Sequence, residues 1–154
     1  MKALVTGGTG GIGKDRTLSL LKRGYEVRVV SRKEGEFSDR KKQFPEGKLT
    51  FASYDLSKEE ECYRLLKDTE NIDFDVFINN AGFGDIGYRE KTDLNKEVNR
   101  LKLNDIATLI LVKSFLLRFK KRNKGHVLRT ASAAAFGVAP YRNVYYASKA
   151  FVYS

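Results

Sequence analysis

Thr6-Gly7-Gly8-Thr9-Gly10-Gly11-Ile12-Gly13 lies between an apolar run, Lys2 to Thr6, and an amphipathic run, Ile12 to Arg23. The first run reads as a short strand. The second reads as a helix anchored by Ile12, Leu18, Leu20 and Leu21 and stopped by Gly24. A glycine-rich turn in that setting lets the backbone approach a pyrophosphate, and the helix N-terminus adds N–H donors and positive dipole. Two glycine registers fit. Gly8, Gly10 and Gly13 follow G-x-G-x-x-G, whereas Gly7, Gly11 and Gly13 follow G-x-x-x-G-x-G.

The alternation continues outward. Strands are expected over Tyr25 to Val30, Leu49 to Ser53, Phe74 to Asn79 and His126 to Thr130. A short helix is expected around Ser38 to Gln43. Ser57, with Glu60 three residues on, suggests a capping box for the next helix. A long helix is expected from about Asp93 to Lys121, stopped by Gly125. Its run Ile106, Leu109, Ile110, Val112, Phe115, Leu116, Phe119 suggests burial on more than one side. This pattern predicts an α/β fold, a three-layer, doubly wound, Rossmann-like parallel sheet of about five strands with the first strand central. Residues 1–154 form one domain by the length prior.

Composition narrows the function. The 154 residues are 42% apolar, enough for one sizeable core, and 31% charged. No run approaches a membrane span. Strand-like residues follow Met1-Lys2 at once, leaving no stretch for a signal peptide. The single cysteine, Cys62, cannot form an internal disulfide and reads as a helix filler, so a reducing, cytoplasmic setting is expected. The single histidine, His126, excludes a His metal cluster, and no metal site is expected. The net charge of +10 would suit nucleic acid, but the cations are scattered. Their densest group, Lys120-Lys121-Arg122 with Lys124, suits a helix C-terminus, so no nucleic-acid partner is expected.

Two further sites carry chemistry. The second strand ends Ser31-Arg32-Lys33, with no carboxylate until Glu34. A hydroxyl and two cations suit a ribose 2′-phosphate better than a 2′-hydroxyl, which favours NADP over NAD. Tyr145 and Lys149, four apart, share one face of a helix, where an ammonium beside a phenol favours the phenolate. Ser132 precedes Tyr145 by thirteen residues, at the end of the fifth strand, where such sheets face their ligand crevice. Tyr146, three residues from Lys149, is also a helical neighbour, and spacing does not reject it.

Together these motifs resemble the short-chain dehydrogenase/reductase family over essentially the whole chain. Thr6-Gly7-x-x-x-Gly11-x-Gly13 matches the family's cofactor motif, including Ile12, and selects the second glycine register. Asp55-Leu56 resembles its adenine-contacting acid. Asn79-Asn80-Ala81-Gly82 matches its Asn-Asn-Ala-Gly motif, and Leu103-Asn104 the position of its structural and catalytic Asn. The resemblance implies that Tyr145 is the general acid in carbonyl reduction and that Ser132 polarises the substrate carbonyl. It implies that Lys149 holds the nicotinamide ribose and that Asn104 holds a relay water behind it. It further implies a small carbonyl or alcohol substrate and a homo-oligomer through the long helix. Compared with the family, the chain ends five residues after Lys149, within the catalytic helix. The expected remainder is the C-terminal strands and the nicotinamide loop. The competing reading is therefore a truncated, non-catalytic nucleotide-binding or interaction protein of the same fold. Arg129, inside the fifth strand, would be costly if buried without a partner.

Overall fold

The structure, a computed structural model, describes residues 1–154 other than Glu36, Ser38, Arg40, Lys41 and Arg89. Of the short helix expected around Ser38 to Gln43, Ser38, Arg40 and Lys41 lie outside the described residues. The strands are β1 (Lys2–Thr6), β2 (Glu26–Ser31), β3 (Leu49–Ser53), β4 (Val76–Asn79) and β5 (His126–Arg129). All pair in parallel, in the order β3-β2-β1-β4-β5. β1 is central because it is buried on both faces. Ala3, Leu4, Val5 and Thr6 have no exposed surface, as a covered parallel strand requires. The chain winds from β1 to β3 on one side and restarts at β4 on the other. A crevice therefore opens at the C-terminal ends of β1 and β4, the switch point where such sheets bind ligands.

Alternate strand residues feed two cores. On one face Ala3, Val5, Val27, Val29 and Ile78 pack with Leu21 of α1 (Gly11–Lys22). On the other, Leu4, Val30 and Phe77 meet α2 (Glu59–Asp68) and α4 (Ala107–Arg122). The Phe77 and Phe115 rings stack at 4.2 Å between centroids. α3 (Leu94–Leu101) leads into α4, and α5 (Asn143–Tyr153) packs over their junction.

Several local expectations change. Ser57 does not cap α2. Its hydroxyl and N–H both donate to Asp55 Oδ1, at 2.7 and 3.2 Å, and the helix starts at Glu59 without a side-chain cap. Glu59, Glu60 and Glu61 face the N-terminal dipole instead. The long helix is interrupted by a π-turn, Lys102–Ile106. It ends at Asn123, which adopts the left-handed conformation (φ 51°), rather than at Gly125. Its apolar run is buried on one side only. Leu111, Phe115 and Phe119 are inside, while Leu109, Leu116 and Leu117 are at least half exposed. Arg129 incurs no burial cost, because β5 is an outer strand and the side chain is exposed. Among the described residues no helix is long and apolar enough to cross a membrane.

Candidate active site

The crevice is assembled from the end of β1. The buried Thr6 hydroxyl oxygen accepts the N–H groups of Asn80 and Ala81, both at 3.0 Å. In return, Asn80 Nδ2 donates to the carbonyls of Thr6 and Gly7, both at 3.2 Å. This clasp brings the ends of β1 and β4 so close that side chains are excluded. A Cβ on Gly7 would lie 2.9 Å from Ala81 Cα, and Gly7 has φ +64°. A Cβ on Gly13 would lie 2.2 Å from the Gly7 carbonyl oxygen. A Cβ on Gly10 or Gly11 meets nothing, whereas one on Gly8 would lie 2.8 Å from Thr17 Oγ1, so packing constrains Gly7, Gly8 and Gly13. Gly10 precedes α1 without a side-chain cap, and the α1 N-terminus opens into a cavity of about 570 Å³ beside Gly11 and Ile12. These are the features of a phosphate cradle.

Ser31, Arg32, Asp55 and Leu56 line a smaller adjoining cavity with Gly7 and Gly82, at the ends of β2 and β3. Ser31 Oγ accepts from the Thr9 hydroxyl at 3.1 Å, tying β2 to the glycine turn. Arg32 is exposed at the rim, and its carbonyl accepts from Ser53 Oγ at 3.1 Å. Tyr54 is also in this wall. Its hydroxyl donates to Asp68 at 2.6 Å, and burial followed by that bond pushes it up to about 12.

Ser132, Tyr145 and Lys149 line the larger cavity together with the glycine turn and with Asn80, Ala81 and Gly82. Ser132 Oγ accepts the Ala134 N–H at 3.2 Å and so caps the 3₁₀ turn Ala133–Phe136. Lys149 is buried. Its Nζ donates to the Thr130 carbonyl at 3.0 Å and lies 5.9 Å from the Tyr145 ring centroid. Burial lowers its pKa, and the charge of Asp105 opposes that shift. Tyr145 and Tyr146, both helical neighbours of Lys149, line different cavities, with their rings edge to face at 6.4 Å between centroids. Tyr145 is in this cavity, whereas Tyr146 lines a separate groove with Val138, Pro140 and Asn143.

Asn104 is buried in the π-turn and uses its amide as a bolt. Its Oδ1 accepts from Phe83 N at 3.1 Å, and its Nδ2 donates to Phe83 O at 3.1 Å and to Ser148 Oγ at 3.0 Å. The loop after β4 and the helix carrying Lys149 thus share one side chain. Gly84 completes the fit, because a Cβ there would lie 3.1 Å from the Tyr145 ring. Gly84, Arg100 and Asp105 were not singled out by sequence reasoning, and Thr6 was read there only as part of the glycine motif. Thr6 opens the glycine motif and was its one available signal. Cys62 is buried, its Sγ donates to Leu56 O at 3.4 Å, and burial with the neighbouring glutamates pushes the thiol up to about 12, so it is no nucleophile.

A family model described as short chain dehydrogenase matches residues 1–154. A very-long-chain 3-oxoacyl-CoA reductase of Anas platyrhynchos is 32% identical, covering 97% of this chain and 51% of the relative. The Bos taurus protein of the same description is 28% identical, covering 97% of this chain and 50% of the relative. The chain spans about half the length of the curated relatives it matches. Among solved structures, a serine dehydrogenase from Escherichia coli aligns with a TM-score of 0.87 and 26% identity, covering 99% of this chain and 71% of that one. A 4-hydroxyisoleucine dehydrogenase mutant complexed with NADH and succinate aligns with a TM-score of 0.90 over 99% of this chain and 63% of that one. Its 23% identity makes it a likeness of fold.

Proposed function

The chain belongs to the short-chain dehydrogenase family, and on that premise we propose that it provides the dinucleotide-binding domain and proton-transfer groups of an NADP-dependent oxidoreductase acting on a carbonyl or secondary alcohol. The observation that carries this reading is the meeting of Ser132, Tyr145 and Lys149 with the glycine turn around one cavity. The fit to a dinucleotide is physical. Gly7 and Gly13 leave a backbone cradle that a Cβ would fill, α1 begins uncapped, and Ser31 and Arg32 supply a hydroxyl and a cation. When bound, the nicotinamide supplies the hydride.

In carbonyl reduction Tyr145 gives its phenolic proton to the substrate oxygen, and it takes that proton back in alcohol oxidation. Ser132 donates a hydrogen bond to the same oxygen and favours the charge that develops there. The Lys149 ammonium balances the phenolate that Tyr145 becomes. Asn104 positions this pair from behind through Ser148 and Phe83. Arg32 selects NADP over NAD by pairing with the 2′-phosphate. The exposed Leu109, Leu116 and Leu117 of α4, with Phe151 of α5, offer an apolar face to a second copy. A buried single thiol suits a reducing compartment such as the cytoplasm.

Fluorescence titration with NADPH tests binding, and NADPH consumption against a carbonyl panel tests turnover. Tyr145→Phe should abolish turnover and spare binding, and Tyr146→Phe should spare both. Binding without turnover, unaffected by Tyr145→Phe, leaves the non-catalytic nucleotide-binding reading in its place.

A further inference from the structure

Arg100 is a cation inside the protein. It lies in α3 and is 3% exposed, and its Nε and Nη2 are shielded from solvent with no hydrogen-bond partner among the described residues. A guanidinium taken out of water needs a counter-charge or a polar face in place of its hydration. Both come from one short segment after β4. Asp85 Oδ2 lies 3.5 Å from Arg100 Nη2, an ion pair without hydrogen-bond geometry. The Phe83 ring centroid lies 5.4 Å from the guanidinium carbon, within reach of a cation–π contact.

Gly84, between those two residues, meets the site instead. A Cβ there would lie 3.1 Å from Cδ2 and Cε2 of the Tyr145 ring and 3.4 Å from Cζ, the carbon that bears the hydroxyl. The segment is therefore gripped through its first and third residues and backed onto Tyr145 by its second. Phe83 and Gly84 line the large cavity with Tyr145, whereas Arg100 stands outside that lining. Lifting Asp85 away would strand a buried charge, so the segment leaves Tyr145 only at high cost. Two other groups hold it. Lys96 Nζ lies 2.5 Å from Asp85 Oδ2, but Lys96 is 54% exposed and water competes for its charge. Asn104 holds the Phe83 backbone and leaves Asp85 free of it.

We propose that Arg100 is a positioning residue for proton transfer. Its buried charge holds Phe83 and Asp85 so that Gly84 backs the Tyr145 ring and fixes the direction of the hydroxyl. This rests on the reading of Tyr145 as the general acid.

The test is NMR on the full chain labelled at glycine and tyrosine. The parent should show a nuclear Overhauser contact between Gly84 Hα and the Tyr145 ring hydrogens, identified by its loss in Tyr145→Phe, which removes the labelled ring. Arg100→Met leaves Asp85 paired with Lys96 and strands no charge, and it should weaken that contact severalfold. Lys96→Met, which takes the exposed cation from the same carboxylate, should keep it. A parent without the contact, a contact unchanged in Arg100→Met, or one lost equally in Lys96→Met overturns the proposal. Where Arg100→Met fails to fold, combining it with Asp85→Asn neutralises both partners and gives the same comparison. In turnover, Arg100→Met should lower kcat by roughly tenfold to a hundredfold, the cost of misplacing a reacting group by about 1 Å, and leave the NADPH Kd unchanged. An equal loss of NADPH affinity would mark a merely structural role and overturn the assignment. An inactive chain would count against the proposed function, and the NMR comparison would still decide this inference.

Discussion

Thr6→Val isolates the clasp on which the crevice depends. Thr6 has no exposed surface, and its hydroxyl oxygen accepts the Asn80 and Ala81 N–H groups at 3.0 Å each. Valine matches threonine in shape, so the packing of β1 survives and the oxygen alone is lost. Two part-buried N–H groups then lose their acceptor, at about 1–3 kcal/mol each. Burying the replacement methyl returns about 0.8 kcal/mol. The net destabilisation expected is about 3 kcal/mol, a large part of the roughly 5–15 kcal/mol that a domain commands. Urea unfolding should show a lower midpoint with an unchanged slope, because the exposed surface hardly differs. Thr6→Ser is the control. It keeps the oxygen and loses one methyl, for about 1 kcal/mol. NADPH affinity should fall in Thr6→Val and hold in Thr6→Ser, because Gly7 and Ala81, which the clasp holds in close approach, both line the cavity. A Thr6→Val chain within about 0.5 kcal/mol of the parent, with Thr6→Ser the weaker of the two, would refute the reasoning.

Three other perturbations have defined outcomes. Arg32→Asp should weaken NADPH binding by about tenfold or more, the worth of a charge-assisted hydrogen bond, and NADH binding far less; equal losses in paired titrations would exclude the 2′-phosphate assignment. Asp85→Asn should lower the melting temperature because it takes the counter-charge from the buried Arg100, and Arg100→Met in the same chain should recover it; a double variant no better than Asp85→Asn would show that the pair is not coupled. Asp105 has a folded-state pKa raised from 3.8 to about 6, so the folded chain binds the extra proton in that window and stability falls as pH rises through it, levelling above 6. Discounted for solvent access, the fall is about 1 kcal/mol, and Asp105→Asn should abolish it in unfolding curves taken at pH 4.5 and 7.5.

The strands were legible because a covered parallel sheet leaves continuous apolar runs, as in Ala3-Leu4-Val5 and Val29-Val30. The glycine turn was legible because its spacing records a steric need that Gly7 and Gly13 meet. Local competition was harder to read. Ser57 has the composition of a helix cap, but Asp55, two residues back, captures its hydroxyl. A π-turn changes the bonding of the backbone without changing residue type, so Lys102–Ile106 looked like uninterrupted helix. Tyr145 and Tyr146, four and three residues before Lys149, are both its helical neighbours, so spacing does not choose between them. Only the packing of α5 sends one into the cavity and the other into the neighbouring groove.

The two halves of the cavity are held by different means, and this bears on how binding and turnover relate. The phosphate half is backbone against backbone. Thr6, Gly7, Gly13 and Asn80 are locked by hydrogen bonds between the two inner strands and by approaches too close for a side chain. The reacting half depends on loops and on α5. Phe83 and Ser148 meet through Asn104, and Gly87 N donates to Tyr141 O at 2.9 Å. The Tyr88 and Tyr141 rings meet edge to face at 4.5 Å. The Gly87–Tyr88 part of the loop after β4 is therefore fastened to the loop before α5, whereas Asn80 and Ala81, which begin the same loop, are held to the end of β1. Gly87, Tyr88 and Tyr141 take no part in the clasp at Thr6, which uses Asn80 and Ala81. A disturbance at those three residues changes the alignment of Tyr145 and Ser132 while the cradle stays intact, so nucleotide binding and proton transfer are separable properties of one cavity.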